Sequence, residues 1–343
     1  MALVSIKDVA RAAGVSDKTV SRVVNREANV HPDTMEKVER AIAELNYVPN
    51  LSARLVRTNQ SRTIGVMTDL VSTTPYSGEI LRGIHDWAKR FNKTVLIIHT
   101  GGDPEEEERA WRTFQEHRAD GVIYATMFHR DAGLRRDALK LPTVMVNCFS
   151  SSDPDLPAIV PDDYGGCVGL IDHLLDLGHR RIAHVRLNPN LKAAHLRLAA
   201  YRDTLARRGI EVDETLVAEG MDGEVGKDLN VAFESTLALL KRDEPPSAIF
   251  CGNDEIALQV YCAVLSQGLQ IPRDVSVVGF DDFQTVSKGL RPQLTTAALP
   301  YFRLGYEGAA LLETLLGEHD VKGVSVMDCP LVSRGSTGAA LER

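Results

Sequence analysis

From Thr63 onward the chain alternates short, continuously apolar stretches with helical ones, and few architectures permit that pattern. Stretches 63–67, 94–98, 121–125, 143–146, 182–185, 248–250 and 275–279 read as strands. Helical periodicity fills 78–91, 104–118, 164–177, 192–208, 227–241 and 254–267. A strand that is apolar on both faces must be covered on both, so the alternation predicts parallel sheets with helices on either side. The series is too long for one such sheet around one core. Two doubly wound α/β lobes are therefore expected, with PDD at 161–163 as a crossing point. In open α/β sheets ligands bind beyond the carboxyl ends of the strands. The polar residues there are Asp69, His99, Thr100, Asn147, Asn253, Asp254, Asp281 and Asp282. Carboxylates and amides in such a set can surround a polyhydroxylated ligand. Each also has a plainer role, Asn253 as a helix cap and Asp282 as a turn anchor.

The first 60 residues follow a different rule. Ser5 with Asp8 three residues on has the spacing of a capping box. Ile6, Val9, Ala10 and Ala13 then make an apolar stripe at helical period. Gly14 breaks that helix, and Ser16 is placed to cap a second one. Val20, Val23 and Val24 share one face of the second helix; Asp17, Lys18, Ser21, Arg22 and Asn25 share the other. A helix this short is unstable alone, so its valines must pack on the first and leave the polar face outward. A rigid helix displaying Lys, Arg, Ser and Asn suits a DNA major groove. Pro32 starts a third helix carrying Met35, Val38, Ile42 and Leu45, and Pro49 stops it. Residues 50–60, NLSARLVRTNQ, form one or two helical turns capped by Asn50, or a plain linker.

Charge divides the same way. The net charge of -8 argues against nucleic acid, yet residues 1–60 hold nine Lys/Arg against seven Asp/Glu, so a mildly basic head joins an acidic body. The five cysteines, Cys148, Cys167, Cys251, Cys262 and Cys329, are widely spaced with no CxxC. A reduced cytoplasmic protein without a zinc site is expected, and no signal peptide or membrane span is read. No nucleophile motif, P-loop or HExxH occurs, so no enzyme, catalytic residue, metal or cofactor is expected.

These residues resemble a known family. The head IKDVARAAGVSDKTVSRVVN, with LNYVPN and SARLV, is similar to the LacI/GalR family of bacterial transcriptional regulators. RTIGVM, HLLDLGHRRIAHV, CGNDEIAL, VSVVGFDD, RPQLTT and LVSRGST extend the resemblance over essentially the whole chain. It implies a small all-α helix-turn-helix head, 1–49, and a hinge helix, 50–60. It also implies a type I periplasmic-binding-protein-like body crossed three times by the chain. The first lobe is expected at 61–161 and 295–321, the second at 162–294 and 322–335, with a tail at 336–343.

Carried over by position, Asp17, Lys18 and Arg22 would read bases. Ser16, Thr19, Ser21, Asn25 and His31 would hold phosphates. Asn50, Ala53, Arg54, Leu55 and Val56 would form the hinge. Val56, with Leu55 beside it, stands where relatives insert a minor-groove wedge. Asp17 departs from the commoner neutral or basic residue there, which implies a narrowed half-site preference. In the body, Tyr76, Ser77, Asp162, Arg197, Asn253 and Asp281 match positions that hold effector. Where many relatives carry an aromatic residue the chain has Met221–Asp222–Gly223, and where many carry glutamine it has Leu299.

The resemblance thus implies a cytoplasmic, ligand-responsive repressor of a carbohydrate operon. Its partners would be a near-palindromic double-stranded operator, a small effector such as a sugar or sugar derivative, and a second copy of itself. The short tail favours a dimer over a tetramer. A purine, nucleoside or phosphoprotein corepressor is the alternative, and a carbohydrate-binding protein without a regulatory role a further one.

Overall fold

The computed structural model describes residues 4–24, 30–47, 61–70, 77–317 and 319–341 and divides the chain into two units, Met1–Ser61 and Arg62–Arg343. In the first unit, α1 (Ile6–Ala13), α2 (Asp17–Val24) and α3 (Pro32–Glu44) surround a small core. The Ser5 amide and hydroxyl both donate to Asp8 Oδ2, at 3.0 and 2.6 Å. Gly14 takes a left-handed φ of 67°, the conformation that glycine adopts without steric penalty. The chain turns there, and the Val15 amide reaches the Ala10 carbonyl at 3.0 Å. Val9, Val20 and Val38 are fully buried against one another, with Val23 and Tyr47 closing the cluster.

The second unit holds two sheets. β1 (Thr63–Thr68), α4 (Ser77–Arg90), β2 (Thr94–His99), α5 (Pro104–Glu116), β3 (Gly121–Asp131), β4 (Thr143–Phe149) and β5 (Ala158–Pro161) form the first lobe. The second lobe begins with α6 (Asp163–Asp176), β6 (Ile182–Arg186), α7 (Lys192–Arg207), β7 (Val217–Glu219), β8 (Met221–Asp222) and β9 (Leu229–Asn230). It continues through α8 (Ala232–Leu240), β10 (Ala248–Cys251), α9 (Asp254–Ser266), β11 (Ser276–Phe280), α10 (Gln284–Ser287) and β12 (Thr295–Ala297). α11 (Tyr301–Leu316), β13 (Val324–Met327) and β14 (Leu331–Val332) complete the unit. The first sheet is parallel in the order β13-β5-β4-β3-β1-β2. The second runs β14-β12-β11-β10-β6-β7, parallel except for β14, and β8 pairs β9 as a separate hairpin. Central strands are buried on both faces, as with Val66, Ile123 and Val144 in one sheet and Ile249, Val277 and Val278 in the other. That burial accounts for their continuously apolar sequences.

α11 returns to the first lobe and lies against α4. A Cβ at Gly83 would stand 2.0 Å from the Phe302 carbonyl oxygen, and one at Gly305 would stand 2.0 Å from that of Ile80. The two backbones touch, which only glycine permits at both positions.

Three expectations are corrected. The second crossing lies after β12, not at 294/295, because Thr295–Ala297 pairs with Val278–Phe280 in the second sheet. The third lies after β13, not at 321/322, because Val324–Met327 pairs with β5 in the first sheet. Strands of three or four residues carry no period that could assign them to a sheet. The helix expected over 227–241 starts at Ala232, whose amide donates to Asn230 Oδ1 at 3.1 Å. The Val231 amide is held by the Gly220 carbonyl at 2.9 Å, which leaves the preceding residues to the hairpin.

Candidate functional site

In the head, Ser16 Oγ accepts from the Thr19 amide at 3.2 Å and so caps α2. Ser16, Asp17, Lys18 and Arg22 are exposed and Thr19 is half-buried. Exposed His31 stands 3.7 Å from Asp33 at the start of α3. Ser21, expected on the outward face, is only 7% exposed, so it sits at the edge of the core rather than on the polar surface. Asn25, Asn50, Ala53, Arg54, Leu55 and Val56 lie outside the described residues.

The body contains a cavity of about 340 Å³ at the carboxyl ends of both sheets. From the first lobe come Leu70, Met127, Phe128, His129 and Asn147. From the second come Asn188, Arg197, Met221, Asp228, Asn253, Glu255 and Asp281, with Leu299 and Tyr301 at a crossing. The first-lobe wall is aimed by an irregularity in β3, whose register against β4 shifts between Ala125 and Arg130. Asn147, in the left-handed region at φ 59°, donates to the Thr126 and Met127 carbonyls at 3.1 and 2.9 Å and holds the bulged segment. Bulges of this kind re-aim side chains toward sites. Asp69 supports the same segment, accepting from the Met127 amide at 2.9 Å and from Arg130 at 3.2 Å.

Behind the cavity lies a buried charge chain that joins the lobes. His129 Nδ1 of β3 pairs with Asp163 Oδ2 of α6 at 2.7 Å. Arg197 of α7 grips Asp163 Oδ1 through Nε at 2.8 Å and Nη2 at 2.6 Å. Its Nη1 donates to the Gly252 carbonyl, and its guanidinium stacks 3.6 Å from the Phe280 ring centroid. Nη2 is 3.8 Å from Asp281 Oδ1. Burial pushes the Asp163 carboxyl up, but Arg197 and His129 together hold it below the usual range. Asp281 ends on the other side. Burial, with Asp163 and Glu255 nearby, raises it to about 7 against the pull of Arg197. Its φ of 118° is strained for a non-glycine residue, as is common where a backbone positions a functional group.

The predicted residues divide accordingly. Arg197, Asn253 and Asp281 meet at the cavity, and Met221 and Leu299 line it too. Asn253 also caps α9, accepting from the Ile256 amide at 2.9 Å. Asp162 is not in the lining; its Oδ1 accepts from the Gly165 amide at 2.8 Å and caps α6. Its neighbour Asp163 holds the buried charge chain instead. Tyr76 and the side chain of Ser77 lie outside the described residues. Among the strand-end residues, Asp254 is buried behind the wall, bonded to the Phe283 amide at 2.7 Å and Thr296 at 2.8 Å. Asp282 pairs with Arg334 at 2.7 Å. His99 is exposed, and Thr100 is buried at a turn after β2. His129, Asn188, Asp228, Glu255 and Tyr301 were missed. Asn188 follows β6 and was within reach of the carboxyl-end rule. His129 was not, because β3 was expected to stop at Ala125. Among the described residues no group of three or more His, Cys, Asp or Glu suits a metal ion, and no helix is long and apolar enough to cross a membrane.

Comparison with known proteins covers both units. The model of bacterial regulatory proteins of the lacI family matches residues 5–50. That of periplasmic binding proteins and the sugar binding domain of the LacI family matches residues 61–330. The sucrose operon repressor of Escherichia coli is 36% identical over 342 residues, spanning 98% of this chain and all of its own. The HTH-type transcriptional repressor CytR of Escherichia coli strain K12 is 33% identical, spanning 98% of this chain and 96% of its own. The crystal structure of the lac repressor dimer bound to operator and the anti-inducer ONPF is 30% identical, with a TM-score of 0.79 over 98% of this chain and all of that one.

Proposed function

The chain belongs to the LacI family of bacterial regulatory proteins, and from that premise we propose that it is a ligand-responsive transcriptional repressor of a carbohydrate-utilisation operon. It acts in the cytoplasm as a homodimer on a near-palindromic operator, each head taking one half-site. The observation that carries this reading is the pairing, on one chain, of two features. One is a capped helix presenting Lys18 and Arg22; the other is a cavity whose walls come from both lobes. Lys18 and Arg22 contact base edges, with Ser16, Thr19 and His31 on phosphates. Arg197, Asn253 and Asp281 hold the effector, which needs no cofactor. A ligand bridging two lobes favours one lobe arrangement over another, and operator affinity changes by the difference in its affinity for the two.

Selection from a pool of random duplexes tests the DNA reading. Enrichment of a two-fold-symmetric sequence supports it, and recovery of no sequence above the input pool refutes it. Leu187, Leu191, Met221 and Leu299 give the cavity an apolar side that a nucleoside base also fits, and this supports a nucleoside as the second reading.

A further inference from the structure

The polar groups of the cavity are unequal in kind. Among the described residues, Arg197 is the one arginine or lysine in the lining, and its charge is already matched by buried Asp163. Against it stand Asp228, Glu255 and Asp281. Asp228 is fixed by Asn188, whose Nδ2 donates to Asp228 Oδ2 at 2.8 Å and to the Gly223 carbonyl at 2.9 Å. Among the described residues Glu255 has no hydrogen-bond or ion-pair partner. Asn147 has both amide hydrogens committed to backbone carbonyls, and its buried Oδ1 is left without a partner among those residues. The wall is thus rich in acceptors and negative charge and poor in uncommitted cations.

Resting on the carbohydrate reading above, we propose that the cavity takes an uncharged, hydroxyl-donating sugar and rejects its phosphorylated form. Hydroxyls supply hydrogens to Glu255 and Asp228 and to the unpartnered Asn147 Oδ1. A phosphate brings one to two negative charges and only acceptor oxygens. Placed between these carboxylates in a partly desolvated site, it meets repulsion that Arg197 cannot offset while it is held by Asp163 and the Gly252 carbonyl. The β8–β9 hairpin supplies Met221 of β8 and, from its turn, Gly226 and Asp228 to the lining. A Cβ at Gly226 (φ 84°) would stand 3.0 Å from Leu70 Cδ1 of the opposite lobe, so the hairpin reaches across to the first lobe at that point.

The test uses the full-length protein and matched pairs at millimolar concentration: sucrose with sucrose 6-phosphate, ribose with ribose 5-phosphate, and uridine with uridine 5′-monophosphate. Melting temperature and calorimetric affinity are read for each. The expected result is that a free sugar raises the melting temperature while its phosphate binds roughly tenfold or more weakly. Glu255→Lys should narrow or invert that ratio, and Glu255→Gln should narrow it less; neither breaks an existing bond. Equal or tighter binding of a phosphorylated member overturns the proposal and leaves the carbohydrate reading standing. A selectivity ratio unmoved in a folded Glu255→Lys protein also overturns it. Binding of uridine without its phosphate, and of no sugar, upholds the charge selection and overturns the sugar class. If no member of any pair binds, the reading of the cavity itself fails.

Discussion

The imidazole of His129 and the carboxylate of Asp163 meet at 2.7 Å across the division between the two lobes, and both side chains are buried. His129 belongs to the irregular end of β3, and Asp163 opens α6 directly after the first crossing. The bond therefore ties the lobe that carries the bulge to the lobe that carries Arg197. His129→Ala should cost about 1–3 kcal/mol, since it leaves one oxygen of a buried carboxylate without its partner. Urea unfolding at neutral pH measures it, and an unchanged midpoint would show that the bond contributes nothing.

Arg197→Ala should cost more, about 3–5 kcal/mol, because Asp163 then stays buried without its cation. Arg197→Lys should recover part of that loss, keeping the charge while losing the two-nitrogen grip. The same unfolding experiment separates the three proteins. It also shows that loss of ligand binding in Arg197→Ala carries little information about contact, because the variant disturbs the fold first. Asp281→Asn, isosteric and beside the cavity, is the cleaner probe of ligand.

Two buried groups give stability opposing dependences on pH. Asp281 titrates at about 7 when folded against an ordinary 3.8, so the folded state binds its proton more tightly. Its contribution is complete below about pH 4 and is lost as pH rises through 7. His184, stacked on Phe250 and deprived of water, is lowered to about 3 from 6.5 by burial. The unfolded chain takes up that proton first, so its contribution is lost as pH falls from 6.5 toward 3. The two slopes nearly cancel between pH 4 and 6.5. Asp281→Asn removes the first and leaves the second, so on acidification through this window the variant should lose stability relative to the parent. Unfolding free energies at half-unit pH intervals measure the difference. Parallel curves would contradict the assignment.

In the head, Arg22→Ala should weaken binding to a selected operator by about 1–3 kcal/mol if Arg22 reads a base edge. Lys18→Ala should weaken it and lower the salt slope if Lys18 instead contacts phosphate. Asp17→Ala should relax base preference within the half-site, because an acid there accepts from cytosine and repels the backbone. Titrations at two salt concentrations, with selection repeated on Asp17→Ala, decide among these. An unchanged selected half-site would refute the narrowing role of Asp17.

The long strands and helices of the body were legible because burial on both faces writes continuous apolar runs, and Val66 and Val277 are where such runs place them. The second and third crossings were not legible. Thr295–Ala297 and Val324–Met327 are too short to carry a period, and only their hydrogen-bonding partners assign them to a sheet. Of the cavity, Asn253 and Asp281 could be named from their places after strands, and Arg197 only from the family resemblance. The bulge that brings in His129 depends on Asn147 bonding to the Thr126 and Met127 carbonyls, a long-range contact with no local signature. Asp163 was passed over for Asp162 because two adjacent acids look alike in sequence, while one caps a helix and the other is buried under an arginine.

On the proposed function, a small molecule between the lobes changes the affinity of the heads for DNA. The direct measurement is fluorescence anisotropy of a labelled, selected operator titrated with the protein, with and without a sugar that raises its melting temperature. A shift in operator Kd of about 5–150-fold is expected. Asp281→Asn should lose the shift while keeping operator affinity in the absence of sugar. A sugar that binds the protein and leaves operator Kd unchanged would contradict the proposed function.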